Sequence, residues 1–328
     1  MADKFIRVRL PRVDDLDLNL FDFDYDLTFM VFFIDAKENV YARYGGRDAK
    51  DADNRQSLEG LAYTMNSVLQ MHAQKDKSFA PKSQARPKYL HNLANPPMFG
   101  RGCMHCHQVK TALENDIRKS GKWERELVWR YPLPENIGLR LEVNRGNIVE
   151  TVFDDTAAAN AGLKPGDKLR RLNGVPIHSF GDAQYALDIA PKTASIEISW
   201  QRGDETMQGK VALPEGWRRS DLAWRTSAQH LLSSGGMYGM DLTVEEKKSL
   251  GLAPKHLAFR QKATLSKQAR EAGIQGGDII LGVDNKTLEM DMFAFLKYMR
   301  GNYLVGDKIT INLIRDGKRI NIEATLQR

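Results

Sequence analysis

Cys103-Met-His-Cys106-His107 is the densest run of reactive side chains in the sequence, and it holds both of the chain's cysteines. Its spacing, C-x-x-C-H, is the attachment signature of a c-type haem. Two thiols held close by a turn entering a helix reach the two vinyl groups of one porphyrin, and the next imidazole meets the iron. Cys103 and Cys106 are therefore the expected tethers of a haem c, and His107 is the expected axial ligand and metal-binding residue. For the sixth iron position, Met98 and His91 lie nearest in sequence, with His72 behind. Three other chemistries fit the same residues. One is a redox dithiol, with a helix N-terminus and His105 lowering the first thiol's pKa. Another is a zinc site completed by His91 or His72. The third is a structural pair with no further role. No catalytic residue is assigned. Ser233-Ser-Gly-Gly236 has a superficial likeness to a serine-protease nucleophile loop, but no protease-sized region precedes it, and the run reads as a flexible lead.

The elements that must position these residues are constrained by composition. The chain has 328 residues, 42% hydrophobic and 27% charged, a globular balance that excludes wholesale disorder, collagen and coiled coil. The longest apolar run, Phe29–Ile34, is far too short to span a membrane. No signal peptide stands in the sequence as given, and two cysteines cannot build a disulfide framework. Net charge is +6 and uneven. Residues 75–130 hold 12 Lys/Arg against 5 Asp/Glu, whereas 14–26 carry six aspartates, Asp22, Asp24 and Asp26 among them. A basic segment of this kind can steer an acidic redox partner. Its cations are not interleaved with aromatics, so nucleic acid is not an expected partner.

Four parts follow along the chain. Residues 1–74 read as a small α/β piece. Phe5–Leu10 alternates like a strand, Phe29–Ile34 reads as a buried strand, and Val40–Tyr44 returns to make a hairpin. Ser57–His72 then forms a helix capped by Ser57, with Leu58, Leu61, Met65, Val68 and Leu69 on its apolar face. Residues 75–130 are a Pro- and Lys-rich connector followed by the C-x-x-C-H helix, which Gly121 stops. Residues 131–217 and 236–328 form an internal repeat. Ala161-Gly162-Leu-Lys-Pro-Gly166-Asp167 in the first matches Ala272-Gly273-Ile-Gln-Gly-Gly277-Asp278 in the second, and Asn173-Gly174 matches Asp284-Asn285. Each Ala-Gly ends a short helix, each Gly-Asp turns into a strand, and the later pair makes a tight turn. Two copies at constant spacing imply two like domains.

The repeat resembles the PDZ domains of bacterial envelope proteins. That resemblance implies a small, partly open β-barrel with two helices, which takes an extended or C-terminal peptide of a partner protein as an added strand. It also implies that the peptide carboxylate rests on a loop just before one strand, at Ile137, Gly138 and Leu139 in the first copy and Tyr238, Gly239 and Met240 in the second. Gly181–Ile189 and Met292–Met299 are the helices beside the two grooves. Residues 1–74 resemble the second half of a thioredoxin domain, with Thr28 where that family has its cis-proline. The whole order is similar to the bacterial thioredoxin-like/PDZ proteins, some of which carry selenocysteine. This is carried by Phe21–Phe29, Tyr44-Gly-Gly46, the C-x-H-C-H segment and the two PDZ copies.

The expected fold is α+β and multidomain: a partial thioredoxin-like unit, a short helical C-x-x-C-H segment and two PDZ-like barrels. The expected function is that of a periplasmic or envelope redox protein, its haem segment placed beside two peptide-binding modules. A thiol–disulfide oxidoreductase and a non-catalytic PDZ adaptor are the alternatives. On this reading the thioredoxin-like part lacks its upstream half, and Met1 is an internal start.

Overall fold

The computed structural model describes residues 1–10, 13, 15–76, 79–80, 86–93 and 106–327. They form two compact units, Met1–Arg219 and Ser220–Arg328.

The first unit opens on the hairpin of β1 (Val31–Ile34) and β2 (Val40–Tyr44), paired antiparallel. Asp35 tightens its turn, accepting the N–H groups of Lys37 and Asn39 at 2.8 and 3.0 Å. Helix α1 (Leu58–Ala73) follows, and the Ser57 hydroxyl caps it by accepting the Gly60 N–H at 2.9 Å. Its buried stripe is Gly60, Thr64, Val68 and Met71, while Leu58 is exposed. The expected apolar face is thus rotated, because Gly60 sits against the Val143 carbonyl and the Tyr44 hydroxyl, where no larger residue fits. Phe5–Leu10 makes no strand. Phe5 packs on Phe33, but Ile6 is 97% exposed and no strand among the described residues pairs with the segment. Alternation supplies a propensity, and a strand also needs a neighbour to close its ladder. Among the described residues of 1–74, the two-stranded hairpin is the whole sheet. The thioredoxin-like reading is therefore corrected, since that fold needs a central multi-stranded sheet.

Helix α2 (Cys106–Lys119) ends before Gly121. Its Val109 and Ala112 join Leu18, Tyr25, Leu90 and Leu93 in a small core. The two charge asymmetries of the sequence meet here. Lys110 pairs with Asp26 at 3.1 Å, both buried, and Arg130 pairs with Asp22 and Asp188.

The repeat follows: β3 (Leu139–Leu141), β4 (Val149–Val152), α3 (Ala157–Asn160), β5 (Lys168–Leu172), β6 (Val175–Pro176), α4 (Phe180–Asp188), β7 (Ala194–Arg202) and β8 (Glu205–Leu213). Strands β3 and β4 pair with each other, and β6-β5-β7-β8 make a second sheet. Their inward residues close one core around Trp200, Leu169 and Leu172.

The second unit repeats the order with one inserted helix and without a strand matching β6. It runs β9 (Gly239–Asp241), α5 (Val244–Ser249), β10 (Phe259–Gln261), α6 (Lys267–Glu271), β11 (Ile279–Val283), α7 (Met292–Asn302), β12 (Lys308–Arg315) and β13 (Lys318–Thr325). All five strands form one sheet, β13-β12-β11-β10-β9, so β9 is an edge. Its core holds Phe259, Phe295, Met299 and Ile311.

The Gly-Asp step has the same chemistry in both copies. Asp167 accepts a bidentate pair of hydrogen bonds from Arg202 at 2.8 and 2.7 Å, and Arg202 also donates to the Gly162 carbonyl at 2.8 Å. Asp278, Arg315 and Gly273 repeat the arrangement at 2.8, 2.8 and 2.9 Å. Each arginine ends a long strand and clasps the end of the short helix. Among the described residues no helix is long and apolar enough to cross a membrane.

Candidate functional site

The two loops expected to hold a peptide terminus are built alike. In the first copy Pro134–Ile137 forms a single 3-10 turn and Gly138 follows. A Cβ at Gly138 would lie 2.0 Å from the Thr156 hydroxyl, so the position admits only glycine. In the second copy a Cβ at Gly239 would lie 1.8 Å from the Arg260 carbonyl. The next strand is tied back at slightly different points, by Phe153 N–H to Gly138 O at 3.0 Å and by Lys262 N–H to Tyr238 O, one residue earlier, at 3.1 Å.

The surroundings differ. Ile137 and Leu139 are 2% and 1% exposed, whereas Tyr238 and Met240, at the matching positions, are 40% and 75% exposed. Every residue of α4 is buried, including the polar Asp182, Gln184 and Asp188. Its outer face is covered by the hairpin and its neighbours. The Arg43 N–H donates to Asp182 Oδ1 at 2.8 Å, the Ser179 hydroxyl donates to the Arg43 carbonyl, and the Arg43 guanidinium stacks on Tyr185 at 3.6 Å. Gly46 lies flat on Phe180, where a Cβ would come within 2.3 Å of the ring. Asp188 accepts the Tyr131 N–H at 2.7 Å, and Gln184 donates to the Tyr131 carbonyl at 3.0 Å. Glu135, two residues before Ile137, is already paired with Arg55.

Electrostatics on this face follow from burial. Desolvation pushes the Asp182 carboxyl up to about 7, with Arg43 pulling against it. Burial also raises Asp22, partly offset by Arg130. Burial opposes ionisation of Asp188 too, but the charge and hydrogen bonds of Arg130 outweigh it, and that carboxyl is lowered.

In the second copy, α7 stands beside β9 with its start fixed by Asp241, whose Oδ1 accepts the Met292 N–H at 2.9 Å. Phe293 is 62% exposed. Leu242, Met240 and Tyr238 face β10 partners in the ladder, so alternation turns the N–H and C=O of Gly239 and Asp241 toward the open side. Gln261 Oε1 accepts the Tyr238 N–H at 3.0 Å.

Of the other expected site residues, Cys103 lies outside the described residues. Cys106 starts α2, and His107, half-buried, sits in its first turn with its carbonyl accepting the Thr111 hydroxyl at 3.1 Å. His72 is hydrogen-bonded to Tyr41 at 3.1 Å, and His91 stacks on Tyr89 at 5.4 Å. Sequence reasoning missed Arg202 and Arg315, which lie 35 and 37 residues from the aspartates they clasp. A signal was present in the arginine that ends the long strand of each copy.

Residues 148–202 match the PDZ domain family, so the chain contains a PDZ domain. The chain is 34% identical over 92 residues to the periplasmic serine endoprotease DegP of Escherichia coli (strain K12), an overlap of 28% of this chain and 19% of that protein. It is 29% identical over 190 residues to a probable periplasmic serine endoprotease, DegP-like, of Pseudomonas savastanoi pv. phaseolicola, covering 55% of this chain and 38% of the relative. The chain thus spans well under half the length of these curated relatives. Among solved structures, the HtrA-type protease AlgWS227A with decapeptide aligns over 40% of each chain at 22% identity and a TM-score of 0.28.

These relatives overturn the expected redox function and the expected thioredoxin-like/PDZ family. The proteins the chain is similar to are named serine endoproteases, and the matched family is the PDZ domain. The acidic redox partner falls with that function. Lys110 and Arg130, in the basic segment that suggested it, are bound internally to Asp26 and Asp188, and Lys88 pairs with Asp116 at 2.9 Å.

Proposed function

We propose that the chain is a peptide-docking protein of the periplasm, and that its second unit is a PDZ module taking an extended peptide as an added strand along β9. The observation that carries this reading is the outer edge of β9. It is unpaired within its sheet, flanked by α7, and bordered by the exposed Tyr238, Met240 and Phe293. An edge strand of this kind offers backbone groups to a partner chain, while flanking side chains select what lies beside them. The repeat shared with the PDZ domain of the first unit and the periplasmic naming of the relatives support it.

A peptide carboxylate arriving at this loop meets the Gly239 N–H, but the Tyr238 N–H is occupied by Gln261. Recognition therefore rests more on the strand backbone than on the carboxylate. Each backbone hydrogen bond gained is worth about 0.5–1.5 kcal/mol net, offset by ordering the peptide, so affinities on the order of micromolar are expected.

The test is a C-terminal peptide library displayed against the full chain, followed by anisotropy titration of the selected peptide. Met240→Asp, at an exposed position, should weaken binding about tenfold with an unchanged unfolding midpoint. Amidating the peptide terminus should weaken it less. A library that yields no consensus, or a Met240→Asp variant that binds as the parent does, overturns the reading.

A further inference from the structure

A second concave site lies on the first unit, on the opposite sheet from the peptide loop. It is a cleft of about 310 Å³ between α1 and the β5–β6 edge. Lys168, Arg170, Arg171 and His178 line it from one side, and Gln70 of α1 and Gln74 at its C-cap from the other.

The convergence of cations has a local cause. The pairing of β5 with β7 runs Leu169 to Trp200 and then Arg171 to Ser199, so Arg170 is an extra residue in the strand. A bulge of this kind breaks the alternation and re-aims side chains. Here it brings consecutive arginines to one concavity beside Lys168. Opposite them, Asp76 is the single carboxylate on the lining. The cations are only partly engaged. One Arg171 nitrogen donates to the Gly174 carbonyl at 2.8 Å, and the Lys168 ammonium stands 5.8 Å from the Tyr63 ring. Arg170 is exposed.

A second feature belongs to the same lining. The Nε2 atom of His178 is buried and has no hydrogen-bond partner among the described residues, although the rest of the residue is anchored by its own N–H to Asp182 at 3.1 Å. A buried polar atom in this condition is uncommon, and a ligand oxygen in the cleft that His178 lines is one way to complete it. The walls are rigid. Asn147 is buried, accepts the Tyr63 hydroxyl at 2.9 Å and donates to the Leu169 and Ile177 carbonyls at 3.3 and 3.1 Å, locking α1 to the strands.

From this geometry we infer that the cleft binds a small molecule bearing phosphoryl groups, with Arg170, Arg171 and Lys168 on its charged oxygens and His178 Nε2 completing one contact. Guanidinium forks match phosphoryl oxygens, and a cleft lined by one sign of charge concentrates the opposite sign. The volume is that of a small-ligand site, and the Gln70 and Gln74 amides supply hydrogen bonds to an uncharged polar body.

The experiment is calorimetric titration of the full chain with sodium pyrophosphate, with sodium chloride of matched ionic strength as control. Saturable binding is expected, and loss of one charge-assisted hydrogen bond in Arg170→Ala or Lys168→Ala should weaken it about tenfold or more. Lys318→Ala, which removes the same charge from the second unit, should leave it unchanged. Heat that follows ionic strength alone, equal loss in Lys318→Ala, or parent-like binding in the combined Arg170→Ala/Lys168→Ala variant overturns the inference. Sedimentation with phosphatidylcholine vesicles containing phosphatidylglycerol identifies the source. Arg170-dependent co-sedimentation assigns the site to a lipid headgroup, and pyrophosphate binding without co-sedimentation assigns it to a free phosphorylated molecule.

Discussion

Asp182 and His178 are joined by one hydrogen bond and titrate in opposite senses. Burial holds the Asp182 carboxyl up to about 7 from its ordinary 3.8. Burial, with Lys168 and Arg170, presses the His178 imidazole down to about 4 from 6.5. The folded chain grips the aspartate proton more tightly than the unfolded chain, so that contribution to stability is complete below 3.8 and is lost as pH rises through about 7. It grips the histidine proton less tightly, so that contribution is complete above 6.5 and is lost as pH falls through about 4. In the interval between, the two offset each other, and above 6.5 only the aspartate still changes. In the first unit Asp182→Asn removes the aspartate contribution and leaves that of His178, so its thermal midpoint should rise with pH between about 4 and 6.5 while the parent stays level there, the parent falling only slightly before levelling off above about 7. A parent midpoint that climbs through that range would contradict the assignment. Neither group stood out in the sequence. Asp182 read as one polar residue on a groove helix, and its burial depends on Arg43, 139 residues away.

Elements were most legible where the signal is local. Val40–Tyr44 and the Ser57 cap are found where chain chemistry places them, because a turn residue and a capping hydroxyl act within a few residues. The paired Gly-Asp steps marked the repeat for the same reason. Legibility failed where the decisive neighbour is distant. Phe5–Leu10 alternates but, among the described residues, finds no strand to pair with, and α1 turns Gly60 inward because Tyr44 and Val143 leave no room there for a larger side chain. The glycine of each expected peptide loop is visible in the sequence, but the burial of one loop and the exposure of the other depend on distant neighbours such as those over α4. The Ser57 cap offers a test at this scale. Its hydroxyl accepts the Gly60 N–H and donates to Asn144 at 2.7 Å, joining α1 to the loop after β3. Ser57→Ala should cost about 1 kcal/mol, read from urea unfolding, with no change in peptide affinity at β9. A neutral substitution would show that the α1 start is held by packing alone.

At the scale of the whole chain, the two units carry separate cores. A fragment of residues 220–328 should fold alone, with a cooperative transition and protected amides in β11 and β12. A fragment of residues 131–219 should not. Without residues 1–130 it would bare the face of α4 that Arg43 and Gly46 now cover, and would take Arg43 from Asp182, Asp24 from Gln184 and Arg130 from Asp188. Sedimentation should find it associating while the 220–328 fragment stays monomeric. A stable monomer of 131–219 would mean that the cover over α4 is dispensable.

The sealed α4 also sets the valence of the molecule. Two copies of one module would ordinarily let a chain grip a partner at two points, and the second grip would add avidity through proximity. On the proposed reading, with α4 enclosed, β9 is the one peptide edge beside an open groove helix among the described residues. On that reading, a partner with several tails would gain avidity by assembling several chains rather than by gripping one chain twice.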